Sequence, residues 1–275
     1  MLFSTAHRNF RLMGSSLQDM YEGGVLQLWS GTAPTSADTV ATGTCLASLT
    51  LADAARTAEV YATALLAFSG GAAGNTCTNI TIAGFEVLGA TCTWATSNGQ
   101  LGDDVAAQIN RYARTPIKIW VYSDGGGNVT MYMLPGHGAT MNGQAIVVTV
   151  AGGGLACAIN GASADQMGVG AGGSAAGVTQ IAGLTFAEVS AGVIAKTGIW
   201  SETVIATGTV GYARLGGVNH PNTISPVDAN PFQYPRVQLT VGLSGADLNF
   251  GTSLGVTIAQ PITCGTFQLT EPSSG

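Results

Sequence analysis

Residues able to do chemistry are sparse in this chain and stand apart from one another. Its three histidines, His7, His137 and His220, have no HxH or HExxH companion and no cysteine pair nearby, so their spacing offers no metal-ligand set. His137 lies between Gly136 and Gly138, and His220 between Asn219 and Pro221, and both read as loop residues. Asp103-Asp104 would attract a cation, but two acids at the start of a helical pattern are explained more simply as caps and dipole partners. Asp247, within Ser244-Gly245-Ala246-Asp247-Leu248, is expected to close a turn by bonding its own backbone. Neither a Gly-x-Ser-x-Gly motif nor a nucleophile set beside a base is expected.

Gly168-Val169-Gly170-Ala171-Gly172-Gly173 has the GxGxxG spacing that lets backbone amides meet a pyrophosphate between a strand and a helix. No strong strand pattern precedes it and no helical pattern follows, so it reads as part of a glycine-rich linker. Trp29, Trp94, Trp120 and Trp200 are scattered over strand-like segments, where packing in a core or subunit interface is expected ahead of stacking on sugars. The five cysteines, Cys45, Cys77, Cys92, Cys157 and Cys264, form no CxxC. An odd count favours buried thiols over a disulfide framework, although Cys77 and Cys92 lie in adjacent strand-like segments and could face each other. No metal and no cofactor is expected, and an enzyme is not.

The elements that must position these residues follow from periodicity. Phe10, Met13, Leu17, Met20 and Tyr21 fall at helical spacing before Gly23-Gly24, predicting a short amphipathic helix or arm over 1–22. Strand patterns follow at Val25 to Trp29 and Cys45 to Leu51. Far downstream, Val237, Leu239, Val241 and Leu243 alternate with Gln238, Thr240 and Gly242, as in a half-buried antiparallel strand. Further strand runs at 246–250, 254–258 and 262–269 are set off by glycine or proline and point to a sandwich or barrel.

The middle behaves differently. Val105, Ile109 and Tyr112 share a helix face, with Thr115-Pro116 ending the helix. Two alternating runs around Ser123-Asp124-Gly125-Gly126-Gly127-Asn128 predict a hairpin. With flanking strands at 79–88 and 144–150 these make a compact α+β unit. The fold class expected is therefore mainly β, an antiparallel β-sandwich interrupted by an inserted small α+β domain. The sandwich is assigned to 23–52 plus 184–270, the insert to 53–160 and a Gly-rich linker to 161–183.

Composition limits the function. Only 9% of the 275 residues are charged, against about a quarter in ordinary globular chains. Nine Lys and Arg face fifteen Asp and Glu, which argues against nucleic acid held on a basic surface. Mean hydropathy is +0.32, yet the longest uncharged stretch, from Gly125 to Ala164, is broken by glycines, Asn128, Pro135 and Asn142, so no membrane span is expected. The opening residues lack the apolar core of a signal peptide, and the sequence reads as one that is not exported.

Leu28-Trp29-Ser30-Gly31-Thr32-Ala33-Pro34-Thr35-Ser36-Ala37-Asp38, followed by Ala41-Thr42-Gly43-Thr44, resembles the opening of a family of tailed-bacteriophage virion proteins. The similarity continues at Gly183 to Phe186, Gly192 to Ile194, Ala206 to Leu215 and Ser244 to Leu248. That family runs these halves together, which implies an insertion here, while Cys45 stands where small or aliphatic residues are usual. The insert resembles another phage structural module at Ile80 to Gly89, Trp94 and Ala106 to Asn110. Together the two resemblances cover most of residues 23–270.

The resemblance brings no catalytic residues. It implies a structural component of the particle, in head decoration, neck or tail, acting by self-assembly and docking. The expected partners are other virion proteins and copies of the chain, with no nucleic acid and no membrane, and the place is the virion, assembled in the host cytoplasm. Phe10, Met13, Leu17, Met20 and Trp29 are the expected interface residues. A receptor- or glycan-binding virion module is the alternative.

Overall fold

In the computed structural model of the chain, residues 1–12, 15–58, 62–112, 117, 119–133, 138–160, 166–168, 182–221, 234–251 and 253–270 are described. The chain divides into two compact units, one joining Met1–Glu59 to Thr179–Gly275 and the other running Val60–Val178. The first opens with β1 (Leu2–Phe3), α1 (Thr5–Leu12), α2 (Leu17–Tyr21), β2 (Val25–Ser30) and β3 (Cys45–Leu51). The second holds β4 (Thr63–Ser69), β5 (Thr76–Ile82), β6 (Phe85–Glu86), β7 (Cys92–Thr93), α3 (Asn98–Arg111), β8 (Ile119–Ser123), β9 (Asn128–Met133), β10 (Ile146–Ala151) and β11 (Ala156–Ile159). The chain then returns to the first unit with β12 (Thr185–Phe186), β13 (Val193–Thr197), β14 (Trp200–Thr203), β15 (Gly208–Gly216) and β16 (Arg236–Gly242). It ends there with β17 (Leu248–Asn249), β18 (Gly255–Val256), β19 (Pro261–Cys264) and β20 (Gln268–Thr270). The protein is mainly β, and its sheets are antiparallel except where β17 joins β16.

In the second unit, α3 and two four-stranded sheets, β10-β5-β6 with β7 on β5 and β11-β4-β9-β8, enclose one apolar core. The hairpin expected around the glycine loop is β8–β9, with Trp120 opposite Tyr132. The helix starts earlier than its acids suggest. Ser97 caps it by accepting the Gln100 N–H at 3.1 Å, while the Gln100 side chain accepts the Ala95 N–H at 2.9 Å. Asp103 and Asp104 therefore sit inside the helix and cap nothing. Leu101, Val105 and Ile109 recur every four residues and are buried, whereas Tyr112 follows the helix and is exposed. Gly99 lies so close to the Gly125 carbonyl that a Cβ there would collide with it.

Part of the stretch expected as a linker belongs to this unit. Met167 is fully buried in its core, and Gly168 donates to the Thr63 carbonyl at 2.9 Å. The rest of the GxGxxG run lies outside the described residues, as do Met13, His137 and Thr115-Pro116.

The main sheet of the first unit has the order β1-β16-β15-β2-β3-β14-β19, with β17 on β16 and β18 on β15. A smaller sheet, β12-β13-β20, packs through Phe186, which meets Trp200 of β14 edge-on with ring centroids 5.0 Å apart. The N-terminal segment is no projecting arm. Leu2 pairs with Gln238 in β16, and Ser16 and Asp19 form a reciprocal cap on α2. Phe10, Leu17, Met20 and Tyr21 are turned inward. His7 Nδ1 lies 2.7 Å from the Tyr21 hydroxyl, tying the two helices together.

The alternation of β16 is also less polar-out than its sequence pattern. Gln238 is buried as fully as its apolar neighbours because it is one of a row of buried polar side chains. Gln27, Arg214 and Gln238 sit side by side across β2, β15 and β16. Arg214 donates to the Thr39 carbonyl at 2.8 Å and to Gln238 Oε1 at 2.9 Å, and Gln238 Nε2 donates to the Pro34 carbonyl at 2.6 Å. The Tyr212 hydroxyl donates to the Thr42 carbonyl at 2.7 Å, and Arg236 donates to that of Asp38 at 3.2 Å. The row thus holds the turn-rich segment between β2 and β3 by its backbone.

Arg56 does the same elsewhere in this unit, donating to the carbonyls of Gly23 (2.7 Å), His220 (2.7 Å) and Val218 (2.6 Å). It anchors residues 53–58 to the first unit. Charge-assisted hydrogen bonds contribute about 1.5–3 kcal/mol each, so Arg214→Ala should cost roughly 3–5 kcal/mol of stability. Hydrogen exchange at residues 34–42 should accelerate in that variant more than exchange in β5 or β9.

Candidate docking surface

The side chains expected at an interface are occupied at home. Phe10, Leu17 and Met20 are at most 2% exposed and Trp29 is 5% exposed, all inside the first unit, so they have no surface to offer a partner. The spacing of Phe10, Leu17 and Met20 marked the apolar face of helices correctly, but that face covers the chain's own sheet. Among the tryptophans, Trp120 and Trp200 are also buried and Trp94 is half-buried, its indole N–H donating to Asn98 Oδ1 at 2.8 Å. Core packing accounts for them.

The titratable residues are likewise dispersed. His220 is not a surface loop residue: it is fully buried, and burial, with the nearby Arg236, Arg56 and Arg214 charges, holds its ring down to about 3. His7 is held down to about 3 by burial and by Arg11 and Arg8. Asp247 does not bond its own backbone. Its carboxylate accepts the Thr240 N–H at 2.8 Å and the Thr240 hydroxyl at 2.9 Å, stapling the turn to β16. Among the described residues, no group of three or more His, Cys, Asp or Glu is placed to hold a metal ion.

One pair of acids does converge. Asp53 follows β3 in a left-handed conformation, with φ of 57°, and accepts the Thr203 hydroxyl at 2.9 Å. Glu202, the neighbour of Thr203 in β14, shares a cavity of about 290 Å³ with Asp53, Thr50 and Ile205. Burial first, then the Asp53 charge and a hydrogen bond with it, push the Glu202 carboxyl up to about 7. The pattern of alternating residues gave no sign of this pair, because Asp53 and Glu202 are joined only when β14 docks on β3.

This unit also holds an uncharged cleft. Leu26, Leu28, Leu49, Leu248 and Val256 floor a cavity of about 380 Å³, and the whole of β19 forms one wall. A second cavity of about 540 Å³ adjoins it, sharing Leu248, Asn249, Gly265 and Thr266. β19 ends the main sheet, and among the described residues its outer edge has no strand partner. Such an edge presents backbone donors and acceptors to any extended chain. Two exposed isoleucines, Ile205 and Ile258, stand on turns at the Pro261 end of β19, bonded to each other through Ala259 N–H and the Val204 carbonyl at 2.9 Å.

Ser253, which lines the cleft, stands in Gly251-Thr252-Ser253-Leu254-Gly255, so a GxSxG spacing is present, contrary to expectation. Its hydroxyl accepts the Gly255 N–H at 3.0 Å, and no His, Asp or Glu lines this cavity among the described residues. The cleft offers neutral side chains and, along β19, a strand edge. It brings no acid and base together.

The raised Glu202 carboxyl sets a pH dependence. Its folded form binds a proton more tightly than the unfolded chain does, so the stabilisation is complete below about 4.5 and is lost as pH rises through about 7. Glu202→Gln should remove that loss, and its thermal midpoint should exceed the wild-type value by a margin that grows between those limits and levels off above them. The chain matches no protein-family model, no curated protein and no solved structure.

Proposed function

We propose that this chain is a structural component of a tailed-bacteriophage particle that acts by self-assembly and by docking onto neighbouring virion proteins. The observation that carries the reading is the uncharged cleft lined by β19, whose outer edge has no strand partner among the described residues, with Ile205 and Ile258 exposed on the turns at one end of that strand. Covering such a surface removes apolar area from water without stripping ions of their hydration, which is what repeated subunit contacts need. The resemblance of residues 28–44 and 206–215 to phage virion proteins supplies the particle. No catalytic step and no cofactor is part of this proposal.

The alternative, a receptor- or glycan-binding virion module, draws on a different feature. In the second unit Trp120 stacks on Tyr132 with centroids 5.0 Å apart and lies 6.3 Å from Tyr122, which is exposed. A row of rings ending at the surface suits a sugar face. Sedimentation separates the two readings. Self-assembly predicts species heavier than the 27.6 kDa monomer, shifted towards monomer by the double variant Ile205→Asp, Ile258→Asp. A wild-type chain that stays monomeric and binds a glycan array, with binding lost in Tyr122→Ala, would favour the alternative.

A further inference from the structure

Cys77 of β5 and Cys92 of β7 lie directly opposite each other in antiparallel register. Opposite residues of such a pair have Cα atoms about 4.5–5.5 Å apart and project from the same face, within the roughly 4.4–6.8 Å that a disulfide spans. Both side chains belong to the core of the second unit, Cys77 fully buried and Cys92 nearly so, and both are thiols. The strand that carries Cys92 is two residues long and joins its sheet only through β5. We propose that Cys77 and Cys92 form a disulfide when the protein meets a small-molecule disulfide such as oxidised glutathione, fastening β7 to β5. This inference stands apart from the proposed function.

The exchange balances in two steps. The Cys92 thiolate attacks one sulfur of the small disulfide, the old S–S bond breaks, and one small thiolate leaves and takes up the proton Cys92 lost. Cys77 then loses its proton, its sulfur attacks Cys92 Sγ, and the second small thiol departs carrying that proton. Two electrons pass from the cysteine pair to the small disulfide. Burial pushes Cys77 up to about 12 and Cys92 to about 11, so little thiolate is present at neutral pH and the folded protein reacts slowly. Cys157, opposite Phe68 in the other sheet, is close enough to Cys77 to affect its ionisation and is the competitor the experiment must distinguish.

The test uses the whole chain, reduced and unfolded, then refolded in mixed reduced and oxidised glutathione so that access to the buried sulfurs does not limit the outcome. After quenching, unreacted thiols are alkylated and peptides are mapped by mass. Two of the five thiols should be lost, the peptides holding Cys77 and Cys92 should be linked, and dithiothreitol should restore the full count. Cys157→Ser should leave the link intact and Cys92→Ser should abolish it. Five alkylated thiols, or a Cys77–Cys157 link, would overturn the proposal.

Discussion

A guanidinium keeps its charge at any pH a protein survives, so a fold that buries one must bring oxygen to it. Arg56, Arg214 and Arg236 are all at most 5% exposed, and most of the oxygen they receive is backbone carbonyl. Those carbonyls belong to segments with little regular structure: the run between β2 and β3, the Gly23 turn and residues 217–220. The arginines therefore do for these segments what a ladder of hydrogen bonds does for a strand. Removing one would leave several carbonyls desolvated together, a heavier loss than the side chain alone. His220 is kept neutral among these cations, and a charged imidazole there would add a cost the carbonyls are already offsetting.

This arrangement also marks how far the sequence could be read. Alternation and helical spacing located β2, β3, β16, the β8–β9 hairpin and the buried face of α3, because burial on one face leaves a periodic trace. Arg214 and Gln238 left no such trace. Each stands at a position that would be polar-out in a half-buried strand, and only the pairing of β2, β15 and β16 shows both faces covered. Phe10, Leu17 and Met20 show the opposite gap: their apolar spacing was plain, but a single sequence does not say whether such a face covers its own sheet or a neighbour's. The start of α3 is encoded in Ser97-Asn98-Gly99-Gln100, a capping pattern that lies upstream of the paired acids Asp103 and Asp104. The Asp53–Glu202 pair and the β19 cleft depend on contacts between residues distant in sequence, which periodicity does not encode.

With three of its nine Lys and Arg side chains inside the first unit, the chain carries still fewer cations on its surface than its composition suggests. None of the described Asp or Glu side chains is buried, so the surface is sparse in charge and most of the charge it carries is negative. Sparse like charges repel one another weakly, and salt screens what repulsion there is.

The pairing of β2 with β15 joins residues such as Trp29 and Tyr212, which leave the ribosome far apart in time. Everything between β4 and β11 emerges before β15 exists, so the second unit can complete its core while β2 and β3 still wait for theirs. During synthesis β2 and β3 have only each other to pair with, and their outer edges are covered only when β15 and β14 arrive from the last third of the chain. Truncation products that end before β15 would leave that apolar surface uncovered.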